Sequence, residues 1–433
     1  MQRIFSFLVL VLLGMVGCIN VVAQQQSSDL WDLNRCITYA QDNSLQVKQM
    51  RLEVASNQQD LIKSKSEWLP SLNASVSEDF SNSLSSDNTG ISLSSSMPIY
   101  SGGAIANGVK VSKLSVEQAS LNVEQTQKDI TLSIVQAYLN ILYSKESLDY
   151  NKEVVATSEK QVQRTRELYK SGSVVRKDLA QMESQLSNDN YSLVVAQNSV
   201  VSNITVLKQL LEIPVMDTFK VAFPEVQVDY NLFVFPSKSE ALESALATMP
   251  EIKSVKLGTN IAETELKIAK SSYYPSLSLS AGYSTNYSSS LDGGFGTQLS
   301  DNQIKKVGLT LSIPIFNRNS TKTSVQKSRI SVEKAKLTYS ETEKNLLQTV
   351  ETVYQDAIAA LSRYKSAEVQ MEAATESYKL SEQQFNVGMI NTVELLDVKT
   401  SLLDAKSELT QAKYAAILNL KILDFYMGKP ISL

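Results

Sequence analysis

Leu69-Pro70-Ser71-Leu72 and Met97-Pro98-Ile99-Tyr100 recur as Tyr274-Pro275-Ser276-Leu277 and Ile313-Pro314-Ile315-Phe316. The first markers are 205 residues apart and the second 216, and from there onward the offset stays at 216. Ala137-Tyr138 matches Val353-Tyr354, Tyr169 to Gly172 matches Phe385 to Gly388, Asp178-Leu179 matches Glu394-Leu395, and Pro214 matches Pro430. Self-similarity at a fixed offset marks a duplicated structural unit. One insertion of 11 residues between the two proline markers of the second copy accounts for the difference, and insertions settle in exposed loops.

Each copy reads as helix, two strands, long helix, break, helix. The first spans residues 29–216 and the second 239–430, joined by residues 217–238, which are rich in aromatic and β-branched side chains. The opening helix is predicted to run continuously from Leu30 to Trp68, and its counterpart from Ser239 to Tyr273. Alternation then takes over at residues 71–100 and 276–316. Leu277, Leu279, Ala281 and Tyr283 alternate with serines, and Val307, Leu309, Leu311, Ile313 and Ile315 share a face. In the first copy Leu72, Ala74 and Val76 pair in pattern with Ile91, Leu93 and Met97. These segments have the length of tilted strands that cross a bilayer.

Glycine and proline are scarce, 15 and 9 in 433 residues, and neither occurs from Lys110 to Ser171 or from Ile315 to Val387. The runs predict helices over 102–171 and 319–387, each about 100 Å long at 1.5 Å per residue. No globular core buries such a helix along its whole length, so it must lie beside other helices. Gly172 and Gly388 supply left-handed turns, after which helices over 176–211 and 392–426 return antiparallel.

The 41 basic and 45 acidic residues leave a net charge of −4, and there is no histidine. Ser-His-Asp chemistry, histidine-ligated zinc or haem, and a histidine pH switch are thereby excluded. The absence of a basic surplus argues against nucleic acid as a partner. Asp292-Gly293-Gly294 reads as a turn, since no Gly-Lys-Ser/Thr follows it. No cofactor or metal is expected. Residues 1–23 read as a signal peptide, with Arg3, the apolar run Ile4 to Val16, and Val21-Val22-Ala23 before the cleavage point. Cys18 is a candidate lipid-attachment site, because Met15-Val16-Gly17-Cys18 loosely resembles a lipobox without its leucine. No later stretch reaches the roughly 20 apolar residues of a spanning helix, which excludes a helical membrane protein but not a membrane β-barrel.

Four strands cannot close a membrane barrel, whose smallest forms have about eight, so closure needs two or three chains. The duplicated helix-strand-strand-long-helix-helix plan, the Pro-Ser-Leu and Pro-Ile-Tyr/Phe markers, and the stretch Phe385 to Asp397 resemble the TolC-type outer-membrane efflux proteins across residues 29–430. The resemblance implies an internally duplicated α+β membrane protein, a homotrimeric channel-tunnel. Three chains of four strands each would share one β-barrel in the cell outer membrane, above a long α-helical barrel in the periplasm. It further implies a passive exit duct for drugs or other exported substrates, not an enzyme. Its partners would be outer-membrane lipid, a periplasmic adaptor (membrane fusion) protein, and the inner-membrane exporter of a tripartite efflux or type I secretion system.

The same resemblance singles out Glu394 and Asp397 as acidic rings at the periplasmic gate, where stacked carboxylates select for cations. Asp178 holds the equivalent place in the first copy and is expected to bridge neighbouring helices. The tip turns, with Gly172, Ser173, Val174, Gly388, Met389 and Ile390, are expected to meet the adaptor. One departure stands out: the family's tip-closing arginine is Ile390 here, and its tyrosine is Phe385. Closure is therefore expected to use other contacts, with Arg176 or Lys177 against Asp178. Tyr39, Tyr138, Tyr339 and Tyr354 are read as packing residues. Two rival classes fare worse. An exported coiled-coil stalk or adhesin without a channel has no use for matched serine-alternating strands and favours sustained heptads. A carboxylate-pair hydrolase needs a local cluster of acids, aromatics and glycines that this chain does not have.

Overall fold

The computed structural model describes residues 30–81, 86–224 and 235–431. The expected signal peptide, Cys18 and residues 225–234 of the connecting segment lie outside the described residues. In chain order the elements are β1 (Leu30–Trp31), α1 (Leu33–Asn43), α2 (Leu45–Ser66), β2 (Ser71–Ser81), β3 (Ser86–Tyr100), α3 (Ala104–Lys170) and α4 (Arg176–Leu210). There follow β4 (Lys220–Val221), α5 (Lys238–Thr248), α6 (Pro250–Ser271), β5 (Ser276–Ser288), α7 (Phe295–Asp301), β6 (Ile304–Ser312), α8 (Ser320–Asn386) and α9 (Thr392–Tyr426).

The helices of the two copies have equal lengths: 11 residues for α1 and α5, 22 for α2 and α6, 67 for α3 and α8, and 35 for α4 and α9. Even the starts correspond. Asp32 caps α1 by accepting from the Arg35 N–H at 2.8 Å, and Ser237, 205 residues on, caps α5 by accepting from the Glu240 N–H at 3.2 Å.

The opening helix is not continuous in either copy. Ser44 (φ −53°, ψ 132°) and Met249 (φ −72°, ψ 125°) are extended and separate α1 from α2 and α5 from α6. At Met249 the cause is Pro250, whose ring drives the preceding residue out of the helical region. Ser44 adopts the same break without a proline, with its N–H still bonded to the Ala40 carbonyl at 2.9 Å.

The four long strands form one antiparallel sheet in the order β2-β3-β5-β6, so the copies meet at β3 and β5. Ala74 pairs with Leu93 and Val76 with Ile91, as the alternation predicts, but Leu72 faces Ser95. Met97 lies beyond the end of β2 and pairs with Leu279 instead. A bulge between Pro98 and Tyr100 accommodates the missing proline N–H inside β3. β6 stops at Ser312, two residues before Pro314, so Ile313 and Ile315 fall outside the strand.

Sheet and long helix are joined differently in the two copies. Gly102 and Gly103 are left-handed (φ 61° and 86°), and at Gly102 a Cβ would lie 2.6 Å from the Ser271 carbonyl oxygen. The second copy places Arg318 and Asn319 in the same left-handed conformation (φ 54° and 65°).

The apolar core lies midway along the long helices and is itself duplicated. One cluster gathers Leu33, Cys36 and Ala40 of α1 with Ile134, Tyr138 and Ile141 of α3, Leu207 and Val221. Its counterpart gathers Ala241, Ala245, Met249, Leu346, Val350 and Leu423. Tyr138 is fully buried and donates to the Ala222 carbonyl at 2.7 Å, and Tyr354, its match at offset 216, donates to the Pro236 carbonyl at 3.1 Å. Each tyrosine thus pins the connecting segment to a long helix. Tyr39 stacks edge-on against Trp31, and Tyr339 packs on the second cluster.

Candidate functional site

The sheet presents two chemically distinct faces. The register aligns Val76, Ile91, Leu93, Ala281, Leu309 and Leu311 on one face, and serines 75, 92, 94, 278, 280 and 284 on the other. Across the serine face the Ser75 and Ser92 hydroxyls bond at 2.7 Å. The apolar face is uncovered: Leu72, Val76, Val307 and Leu309 are 66–80% exposed. From Leu277 to Thr285 it runs about 27 Å along β5. A strand tilt of about 40° turns this into a band on the order of 20 Å, near the height of the lipid-facing belt of outer-membrane barrels. Trp68, Tyr100, Tyr273, Tyr274 and Phe316 stand exposed at the helix-strand junctions, where an aromatic girdle sits at a membrane interface. Lys305 and Glu78 carry charge into the apolar face only at its far end.

The extra residues of the second copy form an ordered loop between β5 and β6. Its organiser is Gln298, 5% exposed. The Gln298 Oε1 accepts from the Ser288 N–H at 2.9 Å, and Nε2 donates to the carbonyls of Ser288, Leu291 and Gly293 at 3.0–3.1 Å. The Phe295 ring rests on Tyr287 at 5.1 Å.

At the other end of the helices, Gly172 and Gly388 are left-handed (φ 78° and 77°) and close matching turns. The Ser173 N–H reaches the Leu168 carbonyl and the Met389 N–H the Gln384 carbonyl, both at 2.9 Å. These satisfy carbonyls left open at a helix end. Val175, Val387 and Met389 project from the turns into solvent.

Glu394 and Asp397 are exposed and three residues apart in the first turns of α9, hence on one face. Glu394 also takes part in the N-terminal cap: the Asn391 side chain accepts from the Val393 and Glu394 N–H groups at 2.9 and 3.1 Å, and its amide donates to Glu394 Oε1 at 2.9 Å. Asp178 is half-buried, and its carboxylate makes no hydrogen bond or ion pair among the described residues. Within one chain, neither Arg176 nor Lys177 forms an ion pair with Asp178 among the described residues. Arg176 turns to Glu183 at 3.5 Å, where Arg166 of α3 already sits at 2.9 Å, since Glu183 lies about two helical turns along α4, on the same face as Arg176. Ile390 and Phe385, which stand where the family's arginine and tyrosine were expected, pack with Tyr378 and Leu396 onto Val162, Leu179, Met182 and Leu395. Within one chain this apolar cluster packs the two hairpins together near their turns.

A sequence profile of outer membrane efflux proteins matches residues 36–211 and 241–429, one match per copy. The chain belongs to the outer membrane efflux protein family. Its relatives include the outer membrane protein TolC of Vibrio cholerae serotype O1, 22% identical over 409 residues covering 91% of this chain and 90% of that protein. TolC of Escherichia coli K12 is 25% identical over 304 residues, 68% of this chain and 60% of that protein. Among solved structures, CusC superposes with a TM-score of 0.79 at 16% identity over 92% of both chains. VceC of Vibrio cholerae does so at 0.77 and 16% identity, over 92% of this chain and 97% of that one. Like its relatives, this efflux-family chain is an outer-membrane protein, and no helix among its described residues is long and apolar enough to cross a membrane.

One constellation escaped the sequence reading. Lys399 of α9 and Asp189 of α4, each 4% exposed, form an ion pair at 2.9 Å. Ser158 of α3 bonds to both, donating to Asp189 Oδ2 and accepting from Lys399 Nζ. Gln185 Nε2 donates to the other Asp189 oxygen at 2.8 Å. The available signal was spacing: Asp189 interrupts the stripe Met182, Asp189, Ala196, and Lys399 follows Thr392 and Leu395, each at a position otherwise filled by a buried residue.

Proposed function

We propose that three copies of this chain close their sheets into one twelve-stranded barrel through the outer membrane, continued by a ring of α-helical hairpins through the periplasm. The observation that carries this is the four-stranded sheet, whose outer strands β2 and β6 have no further partner, and whose apolar face has no cover, among the described residues. A closed barrel leaves no edge, four strands are too few to close one, and about twelve leave an interior wide enough for passage. The serine face then lines water. The duct is passive, with energy supplied at the inner membrane, and conducts drugs or other exported substrates from an exporter to the exterior. The relatives' names fit both uses: one is an alkaline protease secretion protein of Pseudomonas aeruginosa, another a toluene efflux pump outer membrane protein of Pseudomonas putida.

In this reading Glu394 and Asp397 ring the narrow end and favour cations, with Asp178 adding charge nearby. The turns at Gly172 to Val174 and Gly388 to Ile390 meet the adaptor, with Met389 as an exposed apolar knob. Subunit counting by averaged electron micrographs of detergent-extracted protein tests the assembly, and threefold tubes with a stalk on the order of 100 Å are expected. Single-channel recording then tests the gate: Glu394→Gln with Asp397→Asn lowers cation preference. Compact monomers, or an unchanged reversal potential, would defeat the respective halves.

A further inference from the structure

We infer that β6 of one chain pairs with β2 of the next in a register set by the duplication, and that Lys306 and Asp79 form an ion pair across that seam on the water-lined face of the barrel. The inference rests on the three-copy reading above and names the contact that closes the ring.

The two copies repeat down to individual strand pairs. Ser71 pairs with Ser96 in the first hairpin. Shifted by the offsets of the flanking markers, 205 for the earlier strand and 216 for the later, this becomes Ser276 with Ser312, which is the pair observed. Asn73 with Ser94 becomes Ser278 with Thr310 in the same way. Where the copies meet, β3 pairs with β5, Ser96 opposite Ser280 and Ser92 opposite Ser284. The same shifts turn β3 into β6 and β5 into β2, so a closed ring holds a twin of this seam between chains. The twin sets Ser312 opposite Ser75 of the next chain and Gly308 opposite Asp79 of the next chain. Lys306 is then the diagonal neighbour of that Asp79.

Charge supports this register independently. Among the described residues the serine face of the sheet carries two charged side chains, Asp79 on β2 and Lys306 on β6. They are opposite in sign and exposed, they occupy the two edge strands, and neither has an ion-pair partner in its own chain among the described residues. A diagonal neighbour on one face lies within reach of a long side chain, and Gly308 puts no side chain beside Asp79. The charges of the apolar face do not match in this way. Glu78 falls opposite Leu309, four positions from Lys305, and already accepts from the Thr89 hydroxyl. Bringing two β2 edges or two β6 edges together would instead set like charges along one seam. The pair therefore favours head-to-tail joining, which closes a ring, over back-to-back pairing of two chains.

The test uses the full-length protein purified in detergent. Ser312→Cys with Ser75→Cys is expected to bridge on oxidation and to give chain-to-chain ladders on a non-reducing denaturing gel. Ser312→Cys with Asn73→Cys, a slip of two residues, is expected not to. Equal or preferred bridging through position 73, or none through either pair, overturns the register. Charge exchange tests the ion pair. Asp79→Lys and Lys306→Asp are each expected to lower by several degrees the temperature at which the trimer falls to monomers on a semi-native gel, and together to restore it. Asp79→Lys with Lys305→Asp, which changes a lysine of the other face, is expected to restore nothing. Single variants that match the parent, or a double exchange no more stable than the worse single, overturns the pair. Should a reversal prevent assembly, Asp79→Asn and Lys306→Gln make the same comparison, with the double expected to lose no more than either single; additive losses overturn the pair. A parent protein that is monomeric from the outset defeats the three-copy reading itself, a failure visible before any variant is made.

Discussion

Replacing Asp189 with alanine leaves Lys399 charged in a site where its side chain is 5% exposed, with no carboxylate within reach. Ser158 and Gln185 lose an acceptor at the same time. Removing one partner of a buried pair destabilises by about 3–5 kcal/mol, because the remaining charge has neither water nor counter-ion. Replacing both partners, Asp189→Leu with Lys399→Met, removes charge and acceptor together. By the same reasoning this change is neutral or stabilises by about 1–4 kcal/mol. The double variant is therefore expected to unfold later than the Asp189→Ala single variant, although it carries more changes. Guanidinium unfolding followed by helical circular dichroism in detergent measures this, with Lys399→Met completing a double-mutant cycle. If Asp189→Ala lies within about 0.5 kcal/mol of the parent, or if the double variant is as unstable as the single, the two charges are not acting as a buried pair.

Three further outcomes are expected. Tyr138→Phe deprives the Ala222 carbonyl of its buried donor and lowers stability by about 1–3 kcal/mol, measurable in the same unfolding assay; no change would mean water replaces the hydroxyl. Cys36 is fully buried, and burial, reinforced by the nearby Asp32 carboxylate, pushes its thiol up to about 12. It should resist maleimide at pH 8 in the native protein and react on denaturation, and rapid native labelling would contradict the packing. Burial, and secondarily the charge of Asp129, raise the Glu251 carboxyl above its ordinary value. A carboxyl raised in the folded state binds its proton more tightly there, so its ionisation opposes folding at neutral pH and the penalty fades as pH falls through that raised value. Glu251→Gln should accordingly raise the unfolding midpoint at pH 8 and flatten its dependence on mild acidification; a lower midpoint at pH 8 refutes this.

The architecture was legible because it depends on long-range regularities. Stretches free of glycine and proline set the long helices, and the paired markers around Pro70, Pro98, Pro275 and Pro314 set the duplication and the strands. What escaped was local. The break at Met249 was announced by Pro250, but its twin at Ser44 has no proline to announce it. The helix α7 hides in a stretch whose Asp292-Gly293-Gly294 speaks only for a turn, and it is Gln298 that organises it. The pairing of Arg176 with Glu183 instead of Asp178 turns on which carboxylate lies between two cations, a matter of helix geometry that spacing alone left open. Asp189 and Lys399 were visible as charges on otherwise apolar spacings 210 residues apart, yet nothing in the chain's periodicity said that they meet.

The uncovered edges of β2 and β6 also bear on how this molecule comes into being. A porin folds to completion by itself, since its first and last strands find each other within one chain. If three copies share one barrel as proposed, the last step of folding is a meeting of molecules, and its rate climbs steeply with how many chains are present. On that proposal, a chain waiting for its partners offers two strand edges unpaired among the described residues, and an apolar sheet face, to whatever strand passes by. On the same proposal the cell must either shelter the lone chain or keep its wait short, and too slow a delivery would be as hazardous as an unstable fold.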